Sequence, residues 1–178
     1  MNYSKILSAD IANGPGFRVS IWFSGCARKC KGCFNPESWC ETFGKKFDET
    51  AKKKIYNELE NDWCCGVTLL GGEPLSKLSN NRSETIRFCK ELKKLYPSKT
   101  IMLYSGYTFD EISSDKTMSE VLEYVDLVVD GPFVEEKKDL TLRWRGSSNQ
   151  TIRAKKGGKW YNLDDELHFL SNDNSFKN

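Results

Sequence analysis

Cys26, Cys30 and Cys33 stand four and three residues apart in Gly25-Cys-Ala-Arg-Lys-Cys-Lys-Gly-Cys-Phe34, directly after an apolar run, Val19-Ser-Ile-Trp-Phe23, that reads as a strand. The spacing presents three thiolates from one loop and no fourth. Structural zinc takes four ligands in a closed tetrahedron, usually from paired Cys-x-x-Cys knuckles, and a second knuckle is missing. A four-iron cubane takes one thiolate per iron, so a triple leaves one iron open for a ligand that is not protein. The competing readings are unrelated thiols on a surface turn, or a zinc site that borrows Cys40 or the adjacent pair Cys64-Cys65.

A second group with chemical potential is Gly71-Gly72-Glu73-Pro74, which follows the short apolar run Val67-Thr-Leu-Leu70. The glycines allow close approach of a ligand, and Glu73 can accept hydrogen bonds from an ammonium group. The plainer reading is a strand-to-helix turn in which Pro74 presets the backbone and Glu73 favours a helix start.

These groups need elements to hold them. Ala51, Ile55 and Leu59 recur four apart and predict an amphipathic helix begun near Asp48. Ile86, Cys89, Leu92 and Tyr96 predict a second helix, stopped by Pro97. Ile101-Met-Leu-Tyr104 and Asp126-Leu-Val-Val-Asp130 read as strands, and Thr108-Phe-Asp-Glu111 has the form of a capping box whose helical face continues through Met118, Val121, Leu122 and Val125. Strands alternating with helices imply a parallel sheet with ligands beyond the carboxyl ends of its strands. The cysteine loop, Gly71-Gly72-Glu73-Pro74, Ser105-Gly106-Tyr107 and Asp130-Gly131 all fall at such ends.

The chain has 178 residues, enough for one domain but short of the roughly 250 of an eight-unit barrel. Its 38% apolar and 12% aromatic content is compatible with a globular chain rather than a disordered one. With 27 basic and 25 acidic residues, charge gives no argument for nucleic acid or a membrane as partner. The start, Met-Asn-Tyr-Ser-Lys5, lacks a signal-peptide layout, and no apolar stretch is long enough to span a bilayer, so a cytoplasmic protein is expected. The seven cysteines form no regular framework and suit a reducing compartment. His168 is the lone histidine, which excludes multi-histidine metal sites. A main domain is expected over residues 1–150, followed by an appendage over 151–178 with a hairpin around Gly157-Gly158 and a frayed end.

The cysteine loop with its following aromatic, Phe34, resembles the cluster loop of radical S-adenosylmethionine enzymes, and Gly71-Gly72-Glu73-Pro74 resembles the Gly-Gly-Glu-Pro motif of that superfamily. Asn13-Gly-Pro-Gly16, Arg18, Ser105-Gly-Tyr107, Val129-Asp-Gly-Pro-Phe133 and Trp144-Arg-Gly-Ser-Ser-Asn-Gln150 together resemble the activating enzymes of anaerobic, class III ribonucleotide reductase. The chain departs from that pattern at Phe34, where many relatives have tyrosine, at Leu70, where they have serine, and at Pro132, where they can carry a charge.

The resemblance implies an α/β fold, an open partial (β/α) barrel of five or six parallel strands. It implies a [4Fe-4S] cluster on Cys26, Cys30 and Cys33, and S-adenosyl-L-methionine bound around Gly32, Cys33, Phe34, Gly71, Gly72, Glu73, Pro74, Ser105 and Asp130. Cleavage of that cofactor would give a 5′-deoxyadenosyl radical that takes hydrogen from a glycine of the reductase catalytic subunit, with flavodoxin or a similar protein supplying the electron. The alternatives are activation of another glycyl-radical enzyme, a small-molecule substrate, or a non-catalytic iron-sulfur or zinc module. For Arg143, Arg145, Asn149 and Gln150 the readings are a partner-docking or cofactor-ordering loop, or a loop that packs over the open side of the sheet with Trp144 as anchor.

Overall fold

Four apolar runs become the parallel strands of one mixed sheet, and each of the first three is followed by a helical crossover to the next. The computed structural model describes residues 1–163, so His168 and the end expected to fray lie outside the described residues. In chain order the elements are β1 (Asn2–Asp10), β2 (Phe17–Phe23), β3 (Lys45–Lys46), α1 (Glu49–Leu59), β4 (Cys64–Gly71) and α2 (Asn81–Leu95). They continue with β5 (Thr100–Tyr104), α3 (Phe109–Ser114), α4 (Val121–Tyr124), β6 (Leu127–Asp130), β7 (Thr151–Lys156) and β8 (Lys159–Asn162).

The sheet order is β3-β1-β2-β4-β5-β6-β7-β8, with β2, β4, β5 and β6 parallel and the flanking strands antiparallel. Four parallel strands stand where five or six were expected. The connection from Asp10 to Phe17 is too short for a crossover, which needs a dozen or more residues, so β1 can only fold back beside β2. At the other edge, β7 returns against β6, and the expected hairpin at Gly157-Gly158 carries β8 onto the same sheet.

Because β2, β4, β5 and β6 are laid down in one direction, right-handed crossovers put α1 to α4 on one face. Val19, Ile21, Phe23, Val67, Leu69, Ile101, Leu103 and Val128 point that way and bury against Ile55, Leu59, Phe88, Leu92, Ile112 and Val121. The alternate residues face the other side, where Met102, Leu127, Val129 and Ile152 form a smaller cluster against Tyr104 and Trp144. Arg18 is buried there too, its guanidinium donating to the hydroxyls of Thr68 and Thr100 and to the carbonyls of Pro15, Val67 and Thr100.

The helix starts follow the capping chemistry. The Asp48 carboxylate accepts the Ala51 N–H at 3.0 Å, and Thr108 and Glu111 form a complete capping box. The helical face expected through Val125 is interrupted: α3 stops at Ser114, and Asp115 accepts the N–H and hydroxyl of Thr117 in a turn before α4. Met118, Val121 and Val125 are buried all the same. No helix among the described residues is long and apolar enough to cross a membrane.

Candidate functional site

The end of β2 runs through Ser24 and Gly25 into the cysteine loop, and three sets of bonds hold that turn. Gly25 and Cys26 donate their N–H groups to the carbonyls of Ser38 and Trp39 (2.7 and 3.2 Å), in a 3-10 turn over Pro36–Trp39. The Asn81 side-chain amide, at the start of α2, donates to the Ser24 carbonyl at 2.7 Å. From the next strand, Gly72 and Glu73 donate their N–H groups to the carbonyls of Phe23 (2.7 Å) and Gly25 (3.2 Å).

The two glycines therefore serve a neighbour first. Gly71 has φ +109°, and a Cβ there would sit 2.5 Å from the backbone N and O of Phe23. A Cβ on Gly72 would lie 2.8 Å from the Ser38 carbonyl oxygen. The close approach expected toward a ligand is an approach of the Gly-Gly-Glu-Pro loop to the cysteine loop, which brings both to one cavity.

That cavity, of about 460 Å³, is lined by Cys26, Cys30, Cys33, Phe34, Gly71, Gly72, Glu73, Pro74 and Ser105 among the expected residues. All three thiols are free; Cys26 is buried and the other two are half-buried. Burial pushes the Cys26 thiol up, against backbone hydrogen bonds from Lys29 and Arg28. The Cys33 sulfur accepts the N–H of Asn35 at 3.4 Å. Among the described residues no three His, Cys, Asp or Glu side chains converge on a single metal position. A cubane does not require that, since each thiolate takes a different iron. Cys64 and Cys65 begin β4, about 20 Å from its Gly71 end, and neither they nor Cys40 line the cavity. The donor set on the cavity wall is thus a triple of thiols, which fits a four-iron cluster with one open iron.

Glu73 is the carboxylate of this wall and is only 2% exposed. Its Oε1 accepts the N–H of Leu75 (3.0 Å) and the hydroxyl of Ser105 (2.9 Å), and its Oε2 accepts the N–H of Gly106 (2.7 Å). Burial raises its pKa above the usual carboxylate value, opposed by those bonds and by the charge of Arg28. Arg28 also lines the cavity, with its guanidinium 4.4 Å from the Tyr107 ring centre.

Residues 131–150 cover the open face of the sheet. Phe133 meets Phe34 edge to face at 5.4 Å, and Lys31 in the cysteine loop pairs with Glu135 at 3.0 Å. Gln150 closes the loop on itself: its Oε1 accepts the N–H groups of Gly146 and Ser147, and its Nε2 donates to the Gly131 carbonyl. Asn149 donates to the Pro132 carbonyl at 2.8 Å. Trp144 packs against the Met102 cluster and lines the cavity with Arg145. Trp144 thus anchors the loop, while Trp144, Arg145, Gly146 and Gln150 also face the cavity.

Two expected residues point elsewhere. Asp130 is buried with Oδ1 on Arg153 (3.0 Å) and Oδ2 on the Phe109 N–H (2.9 Å), so it ties β7 and the start of α3 rather than lining the cavity. Gly32 does not line it either; its missing side chain makes room for Glu135. Conversely, the roles of Asn81 and Arg28 are not legible in the sequence. Nothing in an Asn80-Asn81 pair before a helix signals a crosslink to a loop more than fifty residues upstream, and Arg28 had only its place between two cysteines.

Three thiols, with no fourth beside them, and a carboxylate share one cavity wall, the donor set that an iron-sulfur protein would use. In agreement, the family described as a 4Fe-4S single cluster domain matches residues 12–153. The chain is 39% identical to the anaerobic ribonucleoside-triphosphate reductase-activating protein of Haemophilus influenzae, over 85% of this chain and 97% of that one. It is 36% identical to the protein of that name from Enterobacteria phage T4 (90% and 98% covered) and 34% identical to that of Escherichia coli (85% and 97%). The chain belongs to the family of anaerobic ribonucleoside-triphosphate reductase-activating proteins.

Proposed function

We propose that this protein is a radical S-adenosylmethionine activase. In this reading it generates a glycyl radical in the catalytic subunit of anaerobic ribonucleotide reductase, in the cytoplasm, with an electron supplied by a donor such as flavodoxin. The sheet would be the open partial barrel of that superfamily. The observation that carries the reading is the shared cavity: three free thiols and the buried Glu73 face the same space.

Cys26, Cys30 and Cys33 would hold a [4Fe-4S] cluster. When bound, it supplies the electron that splits the sulfonium of S-adenosylmethionine into methionine and a 5′-deoxyadenosyl radical. Glu73 is the acceptor for the ammonium of the methionine moiety: the protein fills three of its roughly four acceptor positions and leaves one. Ser105 and Gly106 fix its direction, and Phe34 with Phe133 supplies an apolar wall for the nucleoside. Leu140, 75% exposed at the edge of the cavity, offers an apolar lip to a docking partner. A backbone glycine of that partner can enter because it has no side chain, and docking excludes water while the radical exists.

The test is 5′-deoxyadenosine release by the iron-reconstituted protein with S-adenosylmethionine and a strong reductant, beside Cys30→Ala and Glu73→Gln. The native chain should release product, Cys30→Ala none, and Glu73→Gln should keep its cluster but bind the cofactor weakly. A loaded cluster with no product, with the reductase present, would contradict the reading.

A further inference from the structure

Beside the cysteine-lined cavity lies a second concavity, of about 560 Å³, between the first turns of α2 and the segment that joins α3 to α4. Its walls gather Lys77, Arg82, Arg87, Lys90 and Lys116 against one carboxylate, Glu120. Two further acids adjoin it: Asp115, 3.3 Å from Arg82, and Glu84, which pairs with Arg87. Lys90 comes only to 4.0 Å from Glu120. Among the described residues Lys77 and Lys116 have no carboxylate within 4 Å, and Lys77 feels Asp115 only at longer range. Five cations against these three carboxylates leave a local excess of two positive charges.

One feature besides the charge points to an anion. Arg82 is 9% exposed; its Nε donates to the Leu75 carbonyl and its Nη1 to Asp115 and Thr117, but the buried Nη2 has no hydrogen-bond partner. A buried guanidinium donor without an acceptor is costly, and a bound oxyanion would supply one.

We propose that this groove binds a phosphoryl group, carried by free phosphate or pyrophosphate or by the phosphate tail of a nucleotide. Its concave form and the hydroxyl residues Ser76, Ser83 and Thr117 among its cations suit a small oxyanion better than the flat face of an acidic protein. The site adjoins the cysteine-lined cavity. The guanidiniums of Arg82 (5.8 Å) and Arg28 (4.4 Å) both approach the Tyr107 ring, and Arg28 lines that cavity. A ligand on Arg82 therefore changes the field at Arg28, two residues from Cys26 and Cys30. The inference does not rest on the radical reading.

The experiment is calorimetric titration of the cluster-loaded full chain with phosphate, pyrophosphate and ATP at constant ionic strength, beside Lys77→Gln/Lys116→Gln and Arg82→Lys. At least one phosphate ligand should bind saturably, and the double variant should weaken that binding about tenfold, since each lysine contributes a charge-assisted contact. The double variant alters only exposed side chains, so it keeps the test valid if Arg82→Lys fails to fold. Equal affinity for pyrophosphate and ATP assigns recognition to the phosphates, and tighter ATP binding extends it to the nucleoside. Absence of saturable binding, or equal binding by the double variant, would overturn the proposal.

Discussion

The N–H of Gly106 donates to Oε2 of Glu73 at 2.7 Å, so the residue after Ser105 at the end of β5 holds the carboxylate that follows β4. With the Ser105 hydroxyl on Oε1, two strand ends converge on one buried charge. Loss of the Ser105 contact should loosen it: Ser105→Ala removes one bond to a charged group, an effect of about 1.5–3 kcal/mol. S-adenosylmethionine binding should weaken without loss of iron, and unchanged binding would show that Ser105 does not position Glu73.

Glu73 should also give the stability of the fold a pH signature. Burial raises its folded pKa above the reference value of 4.5, so between the two values the folded chain binds the proton more readily than the unfolded chain. The stability this group contributes is full below 4.5 and lost as the pH rises through the folded value. Urea unfolding across that range should show the midpoint of the native chain falling relative to Glu73→Gln as pH rises. A difference that stays constant, or reverses, would contradict the assigned direction.

Gly71→Ala tests the junction between the two loops. The substitution meets both an unfavourable φ of +109° and the backbone of Phe23 at 2.5 Å. It should cost about 2–3 kcal/mol, or roughly 5–10 °C in Tm. Gly157→Ala also meets a positive φ, of +57°, but no atom lies within 4 Å of the added Cβ, so it should cost less by the steric part alone. Similar losses at both sites would mean that the Phe23 contact is unimportant.

Asn81→Ala removes the amide that holds the Ser24 carbonyl, leaving a buried acceptor unmet at a cost of about 1–3 kcal/mol. Because Ser24-Gly25 leads directly into Cys26, the variant should lose iron faster than the native chain under a chelator. Equal retention would show that α2 does not brace the cysteine loop.

Much of the site is legible in the sequence because its parts are local. The Cys26-Cys30-Cys33 spacing, the Gly71-Gly72-Glu73-Pro74 turn and Ser105 all sit at ends of strands that hydrophobic runs reveal. The capping box at Thr108 is legible for the same reason. What sequence hides are pairings between distant segments. Asp130 reads equally as a rim carboxylate or as a strand-end Asp-Gly-Pro turn, and the sequence does not show that its oxygens meet Arg153 and the start of α3. β1 escapes notice because its burial is irregular along an edge region, with Ser4, Lys5, Leu7, Ser8 and Ala9 exposed. The break after Ser114 follows from Asp115 and Thr117, whose local turn competes with the helix that the apolar spacing predicts.

Trp144 offers a test of the covering loop. It holds φ +55° while its ring packs on the Met102 cluster, with the Arg143 guanidinium 4.1 Å from the ring centre. Either Trp144→Ala or Trp144→Gly should expose residues 131–150 to limited trypsin cleavage, but glycine tolerates the backbone and should be the milder change by roughly 1 kcal/mol. Alanine proving the milder would show that the ring, and not the backbone conformation, sets the whole cost.

The most direct measurement of the central claim is electron paramagnetic resonance of the anaerobic reductase incubated with this protein, S-adenosylmethionine and a reductant. A glycyl radical signal on the reductase that is absent with Cys30→Ala and present with Cys40→Ala is the predicted result. A cluster-loaded native protein that cleaves S-adenosylmethionine yet leaves the reductase without a glycyl radical would contradict the account.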